Sequence, residues 1–172
     1  MKTYDIPESF KPAAADTGDA LYRRSLYTFW RRTGPGPVLE TFDVPKRVVC
    51  VAKRDTTNTP LHAFVLLNGP QFVEAARVLA ERLLAEHGAA DAALERAFEL
   101  LTSAAPDAAQ RRILREMHAA QAAWYAARPD EAAKLLAVGQ AKPRAGLAAP
   151  DVAAVAAVIN ALMNYDGCVV KR

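Results

Sequence analysis

Histidine, cysteine and long apolar runs are all scarce in this chain of 172 residues. The three histidines, His62, His87 and His118, are scattered, without HxxE, HExxH or HxH spacing, so no metal site is expected from them. The two cysteines, Cys50 and Cys168, form no CxxC pair, no CxxCH haem-attachment motif and no Cys/His cluster. They are expected to be separate, partly buried thiols that pack as small apolar side chains. A disulfide between them would require the chain end to return beside the first segment. No apolar run approaches the roughly 20 residues that span a bilayer. The opening MKTYDIPESFKPAAAD lacks an apolar h-region, so no secretory signal is expected in it and the chain should be soluble.

What remains is globular composition, 52% hydrophobic and 24% charged, with alanine supplying much of the apolar share. Alanine has the highest helix propensity, which favours an all-α fold. A chain of this length buries roughly 70% of the surface its unfolded form exposes, enough for one domain with a real core. The net charge of +3 conceals an asymmetry. Between Tyr22 and Arg54, the basic residues Arg23, Arg24, Arg31, Arg32, Lys46, Arg47, Lys53 and Arg54 stand against Glu40 and Asp43 alone, a local +6 that leaves −3 for the rest. An anionic ligand or an acidic neighbour would be met by that N-terminal third.

Residues 1–20 carry Pro7, Pro12 and little periodicity, and read as an irregular arm or linker. From Leu21 the spacing of Tyr22, Leu26 and Phe29 predicts an amphipathic helix, ended by Thr33-Gly-Pro-Gly-Pro37. Val38 to Arg54 is expected to be extended loop, with Arg47 to Ala52 as its one short strand candidate. Thr59 and Pro60 give N-cap and first-turn signals for a helix that stops at Asn68-Gly69, and Pro70 opens the next, closed by His87-Gly88. Further helices are predicted from Asp91 with Leu94, Phe98 and Leu101 inward, and from Pro106 with Ile113, Met117, Ala120 and Trp124 inward. Two more are predicted over Pro129 to Val138 and from Pro150 with Val152, Val155, Ile159 and Leu162 inward, the last ending at Asp166-Gly167. Gln140 to Ala149 is the most loop-like stretch of the second half. The sum is an all-α, compact, bundle-like domain of six to seven short helices over residues 21–172, with a long irregular loop region near its N-terminus.

Several blocks carry a resemblance: Tyr22 to Arg32, Pro35 and Pro37, Phe42-Asp43-Val44-Pro45 with Arg47 and Cys50, and Thr57 to Arg77. Ala97 to Thr102 and Ala161 to Asp166 continue it. Together they resemble the C-terminal domain of unknown function of large, exported planctomycete-type proteins that also carry a cytochrome-c-like domain. The resemblance implies an all-helical module of a much longer chain, with haem only in the separate cytochrome-c-like domain and no cofactor in this one. It implies the periplasm or cell envelope as location, and it implies no known reaction. The chain departs from the family pattern at His62, where the family has Gln, at Gly69, where it has Asp, and at Gly167, where it has an acidic residue.

The residues nominated for chemistry cluster between positions 43 and 68. Asp43, Asn58 and His62 are the catalytic candidates, His62 because imidazole titrates near neutral pH. Arg47, Arg54, Thr59 and Asn68 are the ligand-binding candidates, since guanidinium groups hold carboxylate or sulfate bidentately, as an anionic saccharide would require. The competing structural reading has these side chains pinning the loop to the helices. The function expected is an accessory or interaction module whose partners are neighbouring domains of the same longer protein. The alternative is an enzyme domain acting on polysaccharide-type substrates. Nucleic-acid binding through the Arg23-Arg24 and Arg31-Arg32 clusters, with Tyr27 and Trp30 between them, ranks below both.

Overall fold

Alanine and β-branched residues fill one stretch of the chain so completely that it can only lie at the centre of a bundle. In a computed structural model of the chain, which describes residues 18, 22, 37–45, 50–53 and 57–169, that stretch is a helix, Ala149–Leu162. The described residues hold eight helices and no strand: α1 Pro37–Thr41, α2 Pro60–Asn68, α3 Pro70–His87, α4 Ala90–Thr102, α5 Ala108–Ala126, α6 Pro129–Leu136, α7 Ala149–Leu162 and α8 Asp166–Val169. The fold is therefore all-α, as the composition predicts. The chain divides into two compact units, Met1–Thr57 and Asn58–Arg172.

In the larger unit α7 is surrounded. Val152, Ala153, Ala154, Val155, Ala156, Val158, Ile159 and Leu162 are all buried, and a helix apolar on every side belongs in the interior. Around it pack Ala76, Ala80, Leu83 and Leu84 of α3, Ala93, Leu94, Ala97 and Phe98 of α4, and Leu114 of α5. Tyr125 of α5 and Ala132 of α6 meet Ala153 and Ala154 in a second cluster. Each fully buried Val, Leu or Ile stabilises the fold by about 1.5–3 kcal/mol, so α7 is the element on which the other helices depend.

Local signals set the helix ends. Asp107 caps α5 with its side chain on the Gln110 N–H while Gln110 returns to the Asp107 N–H, both at 2.8 Å, a complete capping box. Thr59 takes the extended backbone of an N-cap but makes no side-chain cap bond. Pro60 leaves the first turn one donor short, and the His62 N–H goes to the Thr59 carbonyl at 3.0 Å. Gly69 joins α2 to α3 with a φ of −66°, so it is needed for space rather than for a left-handed turn. A Cβ there would lie 2.6 Å from the Val65 carbonyl oxygen.

Four expectations change. The predicted loop over Val38 to Arg54 contains α1, because Pro37, read as a terminator, also supplies the fixed φ of a first helical residue, with Glu40 favourable in that turn. Cys50, Val51 and Ala52, the described part of the strand candidate, form no strand; Arg47, Val48 and Val49 lie outside the described residues, as does the predicted helix from Leu21 apart from Tyr22. On α5 the inward face is turned by one residue. Leu114 and Tyr125 are buried, Met117 packs against the core, and Ile113 and Trp124 are 48% and 41% exposed. Asp166-Gly167 does not end a long helix: α7 stops at Leu162, and α8 begins with Asp166 in its first turn.

Candidate functional site

Asp43 stands just past the end of α1 in the left-handed region, φ +54°, which short polar side chains tolerate better than most. Its Oδ2 accepts the Thr57 N–H and the Thr57 hydroxyl, each at 2.7 Å, closing a loop 14 residues long. This is loop-pinning chemistry within the smaller unit. Arg47 and Arg54 lie outside the described residues.

In the larger unit, Asn58 and Thr59 are exposed on the extended approach to α2, and His62 is half-buried in its first turn. Asn68 donates its side-chain amide to the Phe64 carbonyl at 3.0 Å, satisfying one of the orphan carbonyls at the end of its own helix. His87 is exposed at the end of α3 and His118 is half-buried on α5. Among the described residues no group of three His, Cys, Asp or Glu side chains is placed to share a metal ion. No helix among them is long and apolar enough to cross a membrane.

α2 is itself unusual. It is almost wholly apolar, yet none of its residues is buried. Leu61, Phe64 and Leu67, at successive intervals of three, are exposed, Phe64 by 62%. The helix is held to the bundle by Asn160 of α7, whose Nδ2 donates to the Leu67 carbonyl at 2.9 Å.

Sequence reasoning missed the buried charges. Glu74, Arg77 and Glu81 share one face of α3 and are all buried, Arg77 completely. Arg77 Nη1 donates to Glu81 Oε1 at 2.7 Å, and Nη2 donates at 2.7 Å to the carbonyl of Ala141, which lies in the loop between α6 and α7. Glu74 Oε1 accepts the backbone N–H groups of Gln140 and Ala141 at 2.8 and 2.6 Å. Arg77 Nη2 lies 4.0 Å from the same Glu74 oxygen. Two side chains of α3 thus hold both polarities of a loop backbone more than 60 residues away. Gly139 completes the arrangement with a φ of +93°, and a Cβ there would collide with the Glu74 carboxyl group. Arg77 Nε has no hydrogen-bond partner among the described residues. The i, i+3 and i+4 spacing of these charges equally describes a solvated helix face. Only the arrival of the 139–141 loop distinguishes the two.

A family model described as PSD1, a protein of unknown function (DUF1553), matches residues 2–118. That is more than half of the chain. The chain belongs to the PSD1 (DUF1553) family. No curated protein and no solved structure matches it. The PSD1 match takes in α1 to α4 and ends inside α5, so Glu74, Arg77 and Glu81 fall within it, while the loop they hold and the central α7 fall outside.

The two thiols are free; Cys168 is partly buried as expected, whereas Cys50 is exposed rather than partly buried. Burial pushes the Cys168 thiol above its ordinary pKa. Burial also raises the Tyr125 phenol, with the nearby Glu131 carboxylate adding to it.

Proposed function

We propose that this member of the PSD1 family is a non-catalytic accessory or interaction module of a larger, exported multidomain protein associated with cytochrome-c-like domains, haem residing in that separate domain. Its partners are then neighbouring domains of the same polypeptide. The observation that carries this reading is α2, an apolar helix with Leu61, Phe64 and Leu67 facing solvent. Exposed apolar area of this kind marks interaction surfaces. Two of the nominated polar groups support it as well, Asp43 by accepting from Thr57 and Asn68 by donating to the Phe64 carbonyl of its own helix. The alternative, an enzyme domain acting on polysaccharide-type substrates through Asp43, Asn58 and His62, needs those groups to converge on a substrate and has less support. An anionic saccharide held by Arg47 and Arg54 belongs to the same alternative.

The test is the size and compartment of the native product, blotted from fractionated source cells with an antibody against this domain. A much larger band in the envelope or periplasmic fraction is expected. A cytosolic band near 18.6 kDa would overturn the reading.

A further inference from the structure

Between the end of α7, the first half of α5 and Phe98 of α4 lies an apolar cleft of about 210 Å³. Its apolar wall is built on Phe98, Leu114 and Met117, and its polar lining is confined to Gln110, Asn164 and Tyr165. Among the described residues no charged side chain lines it. Transfer of an ion into such surroundings without a counter-charge costs far more than transfer of a neutral group. A dry apolar cavity of about 150 Å³ is large enough for benzene. This cleft therefore has room for one ring with a short substituent.

The polar side of the cleft is preorganised. The capping box fixes the Gln110 carboxamide, because Oε1 accepts the Asp107 N–H at 2.8 Å. Nε2 then points the other way and donates to the Tyr165 hydroxyl at 3.2 Å. A phenol oxygen that accepts one hydrogen bond still has its own proton to donate. The Tyr165 ring is steadied against Phe98, with centroids 5.8 Å apart. A helix cap thus sets the direction of the Tyr165 hydroxyl donor beside a cleft with no charged side chain among the described residues.

We propose that this cleft binds a neutral, single-ring compound bearing one hydrogen-bond acceptor, its ring against Phe98, Leu114 and Met117 and its acceptor on the Tyr165 hydroxyl. The site is independent of the interaction surface on α2.

The test titrates the full chain with acetophenone and with α-methylstyrene, which has the same shape but no acceptor, following the Leu114, Met117 and Ile113 methyl resonances by NMR. Both should shift these methyls, with acetophenone about five-fold tighter, the effect of one net hydrogen bond. Gln110→Glu keeps the capping box, since Glu serves at that position as well as Gln. It has no amide to donate, so it turns the Tyr165 proton toward itself. In that variant the preference for acetophenone should vanish. Tyr165→Phe should give the same result, and answers the question if Gln110→Glu loses helical circular dichroism. The proposal is overturned if neither compound shifts those methyls at concentrations up to about 10 mM, the weak limit for specific binding of so small a ligand. It is equally overturned if the two compounds bind alike to the unaltered chain, or if the preference survives in a folded variant.

Discussion

Replacing Arg77 by Met should be among the most damaging single changes in the larger unit. Met matches much of the aliphatic volume of Arg but removes the guanidinium from between two buried carboxylates, Glu74 and Glu81, and takes the donor from the Ala141 carbonyl. Breaking a buried ion pair by deleting one partner costs about 3–5 kcal/mol, because the other charge stays behind uncompensated. That loss would lower the melting temperature by about 10–20 °C for a unit of this size. The informative comparison is the double variant Arg77→Met with Glu81→Leu. It removes a second native residue, yet it also removes one of the stranded charges, so it should be more stable than Arg77→Met alone. Exchange of a whole buried pair for apolar residues is often close to neutral. Urea unfolding followed by circular dichroism reads both free energies. A cost below about 1 kcal/mol for Arg77→Met, within the range of an exposed pair, would refute the reasoning, as would a double variant whose cost is the sum of the two singles.

Four shorter predictions accompany it. Gly139→Ala should cost well over the roughly 1 kcal/mol of placing Ala at a positive φ, because its Cβ also displaces Glu74; Gly146→Ala, at φ +88° with nothing within 4 Å, should cost only the conformational part. Gly69→Asp should destabilise by urea unfolding despite the better N-cap it offers α3, since its Cβ meets the Val65 carbonyl oxygen at 2.6 Å; a net gain would contradict the close approach. Because the folded chain raises the pKa of both Cys168 and Tyr125, their contribution is complete below the ordinary values of 9.0 and 10.0 and is lost as the pH climbs past them; Tyr125→Phe should flatten that alkaline decline, and Cys50 should react with a thiol reagent faster than Cys168. A chain cut after residue 118 should fail to unfold cooperatively, since it lacks the five buried Val, Ile and Leu side chains of α7, worth about 8–15 kcal/mol together, against a typical total stability of about 5–15 kcal/mol.

The parts legible in the sequence were those governed by local chemistry. Thr59-Pro60, Asn68-Gly69-Pro70 and His87-Gly88 mark the ends of α2 and α3 because proline and glycine act on their own backbone, whatever the tertiary context. The phase of α5 was not legible. Ile113 and Trp124 lie beside Leu114 and Tyr125, Met117 serves either stripe, and the alanines between them give no contrast, so two faces about one residue apart fit the same periodicity. Gly69 stands where the family has Asp, and only the approach of the Val65 carbonyl reveals that this junction leaves no room for a Cβ. Of the nominated polar residues, Asp43 holds the backbone and hydroxyl of Thr57 and Asn68 the Phe64 carbonyl, bonds that residue type alone cannot tell from a ligand contact. The Gln110–Tyr165 bond joins positions 55 residues apart and carried no signal at all.

The buried charges explain how the two ends of the larger unit depend on each other. α3 lies inside the segment matched by the family model, and α7 lies outside that match, yet neither has a core without the other: Ala76, Ala80 and Leu83 pack in one cluster with Val152, Val155 and Ile159. Apolar packing of this sort is tolerant of sliding, because one small side chain resembles the next. Hydrogen bonds from a fixed carboxylate and a fixed guanidinium are not. By holding the Gln140 and Ala141 backbone on Glu74 and Arg77, the fold fixes where the chain enters α7, and therefore which of its nearly equivalent apolar faces meets α3. The desolvation of three charges is then the cost of a single register, and the same entry point sets where the far end of α7 places Leu162 and Tyr165 beside Phe98 and Gln110.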